Sequence, residues 1–146
     1  MTELATGRVR PIGEPEAGAA GTAELVVQQS DCASALDVGN AADEKFPDVF
    51  ATTRMIALME MAGARLLKPL LQGGEMSVGV TVEIIHSAAT PIGAKVSATA
   101  TYRGRDGKLF VFDVIAHDPG GEIGRGTHKR AIISRERLLA GAAKRV

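Results

Sequence analysis

Hydrophobic residues are most concentrated in the middle of the chain, over residues 46–71. Residues 55–64 read MIALMEMAGA and carry a single charge. A helix that is apolar on nearly every face is typical of a protein interior. The pattern therefore predicts a buried central helix. It begins with Thr52 or Thr53 as its N-cap, and it ends or kinks near Lys68 because Pro69 follows.

From residue 77 onward the hydrophobic period changes from that of a helix to two, which predicts four successive antiparallel strands. The first places Val78, Val80, Val82, Ile84 and His86 on one face, and Gly79, Thr81 and Glu83 on the other. The next two strands alternate equally cleanly and are joined by an Asp106-Gly107 hairpin turn. The last strand covers residues 122–134, where Gly124 and Gly126 indicate a bulge or a close backbone approach. A short helix capped by Ser134 follows, through Leu139.

The N-terminal part of the chain is less regular. Residues 1–22 are rich in Gly, Pro, Ala and Glu and are predicted to form a flexible arm, whereas residues 23–28 predict one strand. Residues 23–146 then form a single α+β domain, an antiparallel sheet wrapped around one long helix. This is the hot-dog fold. Its sheet leaves an edge and a face that need cover, so we expect a homodimer.

Glu60 is the only charge in the apolar core of the helix, and no residue one turn away along the helix forms an ion pair with it. A buried carboxylate is costly unless another element supplies hydrogen bonds. His86 ends the strand expected to cover this helix, so we expect Glu60 and His86 to meet. In such a pair, either the two buried polar groups simply supply each other's hydrogen bonds, or the carboxylate orients the imidazole as a general base.

Thr52 and Gly79 are further candidates. A helix N-cap is the simpler interpretation of Thr52, but a hydroxyl beside the free N–H groups of a helix start can also serve an acyl carbonyl. Eight residues of helix span about 12 Å, so Thr52 and Glu60 cannot touch directly. Either the chain bends back, or His86 bridges them, or a second subunit contributes. Gly79 either offers its backbone N–H to a thioester or relieves packing against the helix.

Charge and composition narrow the function further. The net charge is zero, which removes the general attraction for nucleic acid. Residues 125–146 nevertheless hold seven bases and one acid, and Arg130 on the last strand is a candidate for contacts to substrate phosphates. The single Cys32 allows no intrachain disulfide, and no metal-ligand spacing is present. No signal segment or membrane-length apolar run is found, so we expect a cytoplasmic protein.

Three blocks resemble the fluoroacetyl-CoA thioesterase family of hot-dog proteins: FPDVFATTRMIALMEMAGARLLKPLL, SVGVTVEIIHSAATPIG and AHDPGGEIGRGTHKRAII. The resemblance implies hydrolysis of a short acyl-CoA thioester, with no cofactor beyond the CoA of the substrate. It implies a catalytic set of Thr52, Glu60 and His86.

The same resemblance places Gly79 where the backbone assists binding of the carbonyl, and Phe46 at a lid over a small pocket. Asp43 and Met61 stand where the family has aromatic residues, so selectivity for fluoroacetyl-CoA does not follow from it.

The roles of these residues stay open at this stage. Thr52 is either a nucleophile or a hydroxyl that positions the carbonyl, Glu60 is either a nucleophile or the residue that orients the base, and His86 is the general base. The alternative function is a non-catalytic module that binds acyl-CoA or a small apolar ligand. An enoyl-CoA hydratase ranks lower because no separate hydratase motif is present.

Overall fold

A computed structural model describes residues 13–146 of the chain, so most of the predicted arm lies outside the described residues. Two helices and five strands follow in the order β1 (Ala20–Val26), α1 (Thr52–Leu67), β2 (Glu75–His86), β3 (Lys95–Asp106), β4 (Leu109–Asp118), β5 (Gly121–Ser134) and α2 (Arg135–Ala143). β1 begins inside the predicted arm, because its first residues already pair with β3. Two 3-10 turns, Gln29–Asp31 and Ala33–Ala35, precede α1, and a third, Lys68–Leu70, follows it.

The five strands form one antiparallel sheet in the order β1-β3-β4-β5-β2. The three successive hairpin-linked strands β3, β4 and β5 lie in the centre, and β1 and β2 form the two edges. The sheet curls around α1, which contacts all five strands. This arrangement confirms the predicted hot-dog fold.

The core lies between α1 and the concave face of the sheet. From the sheet, the alternate residues Val96, Ala98, Ala100, Tyr102, Phe110, Phe112, Val114 and Ala116 are almost completely buried. From α1, Met55, Met59 and Ala62 pack against them. The opposite side of α1 is open, since Met61 is 48% exposed. The helix is therefore buried on one face, and the prediction that it is enclosed on nearly every side was too strong.

Two glycines of β5 lie where backbone and side chain approach closely, as their pattern indicated. A Cβ atom on Gly124 would lie 2.7 Å from the sulfur of Met55 and 2.8 Å from the carbonyl oxygen of Ile85. A Cβ on Gly126 would overlap the Glu83 carbonyl of the neighbouring strand. The small residues let β2 and α1 lie against β5 at this end of the sheet.

The predicted faces of β2 are wrong for its first half. The pairing with β5 runs Gly79 with Arg130 and then Thr81 with Lys129, so Val80 is an extra residue in a β-bulge. The bulge changes which residues face α1. Before it these are Ser77 and Gly79, and after it they are Val82, Ile84 and His86. Val80 is left 52% exposed on the sheet edge.

The C-terminal helix begins as expected, because the Ser134 hydroxyl accepts a hydrogen bond from the Arg137 N–H at 3.3 Å. It continues to Ala143, beyond the predicted end at Leu139. Within residues 13–146, neither helix has the length and apolarity needed to cross a membrane.

We predict that Gly124→Ala lowers the free energy of unfolding by about 1–3 kcal/mol, because its Cβ would collide with the Ile85 backbone as well as with a flexible Met55. Chemical denaturation followed by circular dichroism measures this change. Gly141→Ala is the matched control. It lies in α2 with nothing near its Cβ position, and the same substitution there should stabilise by about 0.5–1 kcal/mol. Equal effects at both positions would contradict the close packing at Gly124.

Candidate active site

A threonine and a histidine meet at the start of α1. Thr52 is the first residue of the helix, and His86 is the last residue of β2. The Thr52 Oγ1 atom lies 2.7 Å from Nδ1 of His86. At this distance the hydroxyl can donate its proton to the imidazole, which is the geometry that a general base needs to activate a hydroxyl. Within residues 13–146, the other ring nitrogen, Nε2, is buried and has no hydrogen-bond partner.

The position of Thr52 is fixed by the residues just before it. The N–H of Ala51, which is the actual N-cap, donates to the Asp31 carbonyl at 2.9 Å, and the N–H of Phe50 donates to the Thr90 carbonyl at 2.9 Å. The Asp31 side chain is nearly buried and accepts hydrogen bonds from Nε and Nη2 of Arg54, one turn into the helix. The first turn of α1 is thus held from two sides. Thr52 is not a cap, so its hydroxyl is free for His86.

An open pocket of about 300 Å³ lies over this pair. Most of the residues that line it are small: Ala33, Val49, Phe50, Ala51, Thr52, His86, Ser87, Ala88 and Ala89. The pocket also adjoins the N-terminus of α1, where the first N–H groups have no acceptor within the helix. A small acyl group could therefore enter beside the hydroxyl, the imidazole and a set of backbone donors.

Glu60 does not meet His86 within one chain. Its Oε2 atom lies 3.2 Å from Nη1 of Arg130, and the Glu60 side chain stays 38% exposed. The carboxylate lies directly beneath Gly79, where any Cβ atom would overlap it. Gly79 and His86 stand at opposite ends of the second half of β2, roughly 20 Å apart at the rise of a strand. The predicted Glu60–His86 contact is therefore wrong for a single chain.

Arg130 is buried and belongs to a polar network under the β-bulge. Its guanidinium donates to the Glu60 carboxylate, to Oγ of Ser77 at 3.1 Å, to the Ser77 carbonyl at 3.0 Å, and to Nε2 of His128 at 3.1 Å. Burial lowers the pKa of the guanidinium, and the neighbouring Glu60 charge opposes this effect. Because the Arg130 guanidinium is buried and already donates to these acceptors, it is not available at the surface. The prediction that Arg130 contacts substrate phosphates does not fit this geometry.

Sequence reasoning left His128 and Ser77 unassigned. His128 is buried, and burial lowers its pKa, so the imidazole is held neutral. One signal could have found it: His128 and Arg130 are in phase with Gly124 and Gly126 on β5, so the four residues share one face of the strand, and Gly124 contacts Met55 of α1 on that face. Ser77 was hidden by the bulge, which reverses the expected face.

The remaining predicted residue, Phe46, lies on the irregular segment that precedes α1. It is 49% exposed and is not among the residues that line the pocket. The structure thus brings together Thr52 and His86 at one end of β2, and Glu60, Gly79 and Arg130 at the other. Among residues 13–146, no group of three or more His, Cys, Asp or Glu side chains is arranged to hold a metal ion.

An antiparallel sheet curled around one long helix is the architecture of the hot-dog class of proteins. The fluoroacetyl-CoA-specific thioesterase family model matches residues 27–136. The chain belongs to this family. It is 46% identical over 96 residues to the fluoroacetyl-CoA thioesterase of Streptantibioticus cattleyicolor, which covers 66% of this chain and 69% of the relative.

Solved structures agree with this assignment. A solved structure of a fluoroacetyl-CoA thioesterase superposes with a TM-score of 0.85 at 36% identity, covering 92% of this chain and 99% of that one. A hypothetical protein of Thermus thermophilus, described as a thioesterase superfamily member, superposes with a TM-score of 0.77 at 27% identity, covering 93% of this chain and 94% of the other.

We predict that the free energy of unfolding falls as the pH is lowered below about 6.5, by at most about 1.4 kcal/mol per pH unit. The pKa of His128 is lower in the folded state than in the unfolded chain. The unfolded state therefore takes up a proton first, and acid favours unfolding. Denaturation curves between pH 5 and 7 measure the slope. His128→Asn should make the dependence of the unfolding free energy on pH less steep. His117→Asn, a change on the outer face of β4, is the control and should leave this slope unchanged. Equal slopes in the two variants would exclude His128 as the source.

Proposed function

We propose that this protein hydrolyses short-chain acyl-CoA thioesters to the free acid and CoA, using Thr52, His86 and Glu60. The observation that carries the proposal is the 2.7 Å contact between the Thr52 hydroxyl and His86 Nδ1 at the rim of a small pocket. A neutral imidazole in this position can take the hydroxyl proton as the oxygen attacks a carbonyl carbon.

The reaction follows from this pair. As His86 accepts the proton, the Thr52 oxygen adds to the thioester carbonyl, and the N–H groups of the first turn of α1 face the oxygen that becomes negative. The carbon–sulfur bond then breaks, and the imidazolium returns the proton to the CoA thiolate. Water, activated by the same imidazole, attacks the resulting ester and releases the acid and free Thr52. Mass spectrometry of a slow-substrate reaction distinguishes this route from direct attack by water, since only this route gives an acyl-Thr52 adduct.

We propose that Glu60 is supplied by a second copy of the chain. β2 is an edge strand, and the apolar residues Val80, Val82 and Ile85 are exposed along it at 52%, 42% and 69%. An exposed apolar edge favours pairing with another strand. The midpoint between Gly79 and His86 falls at Val82 and Glu83. Two β2 strands paired antiparallel about that point bring the Glu60 end of one chain opposite the Thr52–His86 end of the other.

A short acyl chain suits the pocket, since alanines form much of its wall and its volume is about 300 Å³. A related fluoroacetyl-CoA thioesterase has been solved in complex with acetyl-CoA. Acetyl-CoA and fluoroacetyl-CoA are therefore the first substrates to compare, with a long-chain acyl-CoA as the discriminating third.

We predict that Thr52→Ala and His86→Asn each lower kcat for acetyl-CoA hydrolysis by about 10²- to 10⁴-fold, because each removes one partner of the proton transfer. Release of free CoA thiol measures the rate, and thermal melting checks the fold. Thr53→Ala is the matched control, since Thr53 is the exposed neighbouring threonine on the same helix. Full activity in both of the first two variants would remove the basis of the proposal.

A mixing experiment tests where Glu60 acts. Glu60→Ala and His86→Ala homodimers should both be inactive. If the chains are unfolded together, refolded at equal concentration and assayed, half of the dimers contain one chain of each kind. Such a dimer has one intact site, so activity should return to about a quarter of the wild-type value per chain. No recovery, from chains shown by mass spectrometry to have exchanged, would contradict the proposal that a second copy of the chain supplies Glu60.

A further inference from the structure

The β-bulge at Val80 decides which side of β2 carries the site residues. Successive side chains of a strand alternate between its two faces, so Gly79 and His86, which are seven positions apart, would face opposite sides of a regular strand. One inserted residue reverses the alternation. Both residues therefore face α1, and His86 can reach Thr52 only because the bulge is present.

His128 lies directly beneath this bulge. Its Nδ1 atom is 2.9 Å from the carbonyl oxygen of Thr81, the residue that follows Val80. The ring stacks on Phe112, with ring centroids 6.4 Å apart and planes at 29°. Its Cε1 atom would lie 3.1 Å from a Cβ on Gly79, so the ring also fills the space under that glycine. The imidazole thus touches both sides of the inserted residue.

The neighbouring guanidinium determines which nitrogen of His128 carries the proton. Nη1 of Arg130 lies 3.1 Å from Nε2 of His128, and an arginine can only donate. Nε2 must therefore accept, which leaves the single proton of a neutral ring on Nδ1. That N–H donates to the Thr81 carbonyl. Arg130 in turn is held by the Glu60 carboxylate, so the bulge, His128, Arg130 and Glu60 form one continuous hydrogen-bonded chain.

We infer that His128 is a positioning residue for the thioesterase reaction: its Nδ1–H bond to the Thr81 carbonyl clamps the β-bulge that directs Gly79 and His86 to the same side of β2. This inference rests on the proposed function for its effect on catalysis. The clamp itself is a property of the fold and is measured separately.

Burial lowers the pKa of His128, and the positive charge of Arg130 on β5 lowers it further. The Thr81 carbonyl and the Glu60 carboxylate on α1 oppose this shift without reversing it. An imidazolium would lose the acceptor for Arg130 and place two positive charges side by side. The clamp is therefore expected to persist over the pH range in which a thioesterase works.

Long-range ¹H–¹⁵N NMR spectra of the imidazole groups of the wild-type protein test the tautomer without any assay of activity. The His128 signals, identified by their loss in His128→Asn, should show a neutral ring protonated at Nδ1 from pH 6.5 to 8. A proton on Nε2, or an imidazolium at pH 7, would overturn the inference. If the wild-type protein released no thiol from any acyl-CoA, the proposed function would fail. The spectrum would still show whether the Nδ1–H of His128 is present to hold the β-bulge.

Two substitutions test the effect on catalysis. His128→Asn keeps an N–H donor near the Nδ1 position, whereas His128→Phe keeps the ring stacking and removes the donor. We expect His128→Phe to lower kcat about 10²-fold with KM nearly unchanged, since small misplacements of reacting groups have effects of this size. We expect the kcat of His128→Asn to be at least about 10-fold higher than the kcat of His128→Phe.

Hydrogen exchange should be faster at the β2 amides around Thr81 in His128→Phe and unchanged in β3. His117→Asn is the control for both measurements. A folded His128→Phe with wild-type kcat, or equal losses of kcat in the two His128 variants at equal melting temperature, would overturn the inference. If His128→Phe does not fold, the tautomer of the wild-type ring and the kcat of His128→Asn decide the matter.

Discussion

The extra residue in β2 is the constraint on which the candidate site depends. A strand presents alternate residues to its two faces, and the hot-dog fold offers only one face to the central helix. Gly79 must face that helix because the Glu60 carboxylate occupies the space where its side chain would be. His86 must face it as well, to reach Thr52. A single inserted residue satisfies both requirements, and its cost is an irregular ladder beside β5.

The buried cation beneath the bulge is stabilised by several partners at once. Taking a guanidinium out of water is expensive, and one carboxylate seldom repays the cost unless the remaining N–H groups also find acceptors. Arg130 satisfies this condition with Glu60, Ser77 and His128. The same network holds the half-exposed carboxylate in place on α1 while leaving part of it accessible. The partners of the buried cation and a candidate catalytic carboxylate thus belong to one cluster.

The two ends of β2 carry different chemistry, which explains why a single chain looks incomplete. One end has a hydroxyl, an imidazole and a pocket lined by small residues. The other end has a carboxylate under a glycine. The strand between them is an apolar edge. The two-fold pairing that we propose along this edge would bring unlike ends together and would cover the exposed valines in the same step.

Much of the architecture was readable from local patterns. The periods of 3.6 and 2 located α1 and the four later strands, and the glycines of β5 indicated close approach, because these features depend on neighbouring residues in the chain. Residue type and family resemblance selected Thr52, Glu60 and His86 as candidates. The partners of those side chains were not readable. A bulge of one residue leaves the composition of β2 unchanged yet reverses the side on which its first half faces, and Arg130 reaches Glu60 only after β5 has been laid beside β2. Such contacts join residues about 70 positions apart. The sequence by itself therefore determined which elements form and which residues are chemically suited to the site, whereas the tertiary structure alone decided which of them meet, because register and packing between distant elements are properties of the assembled fold.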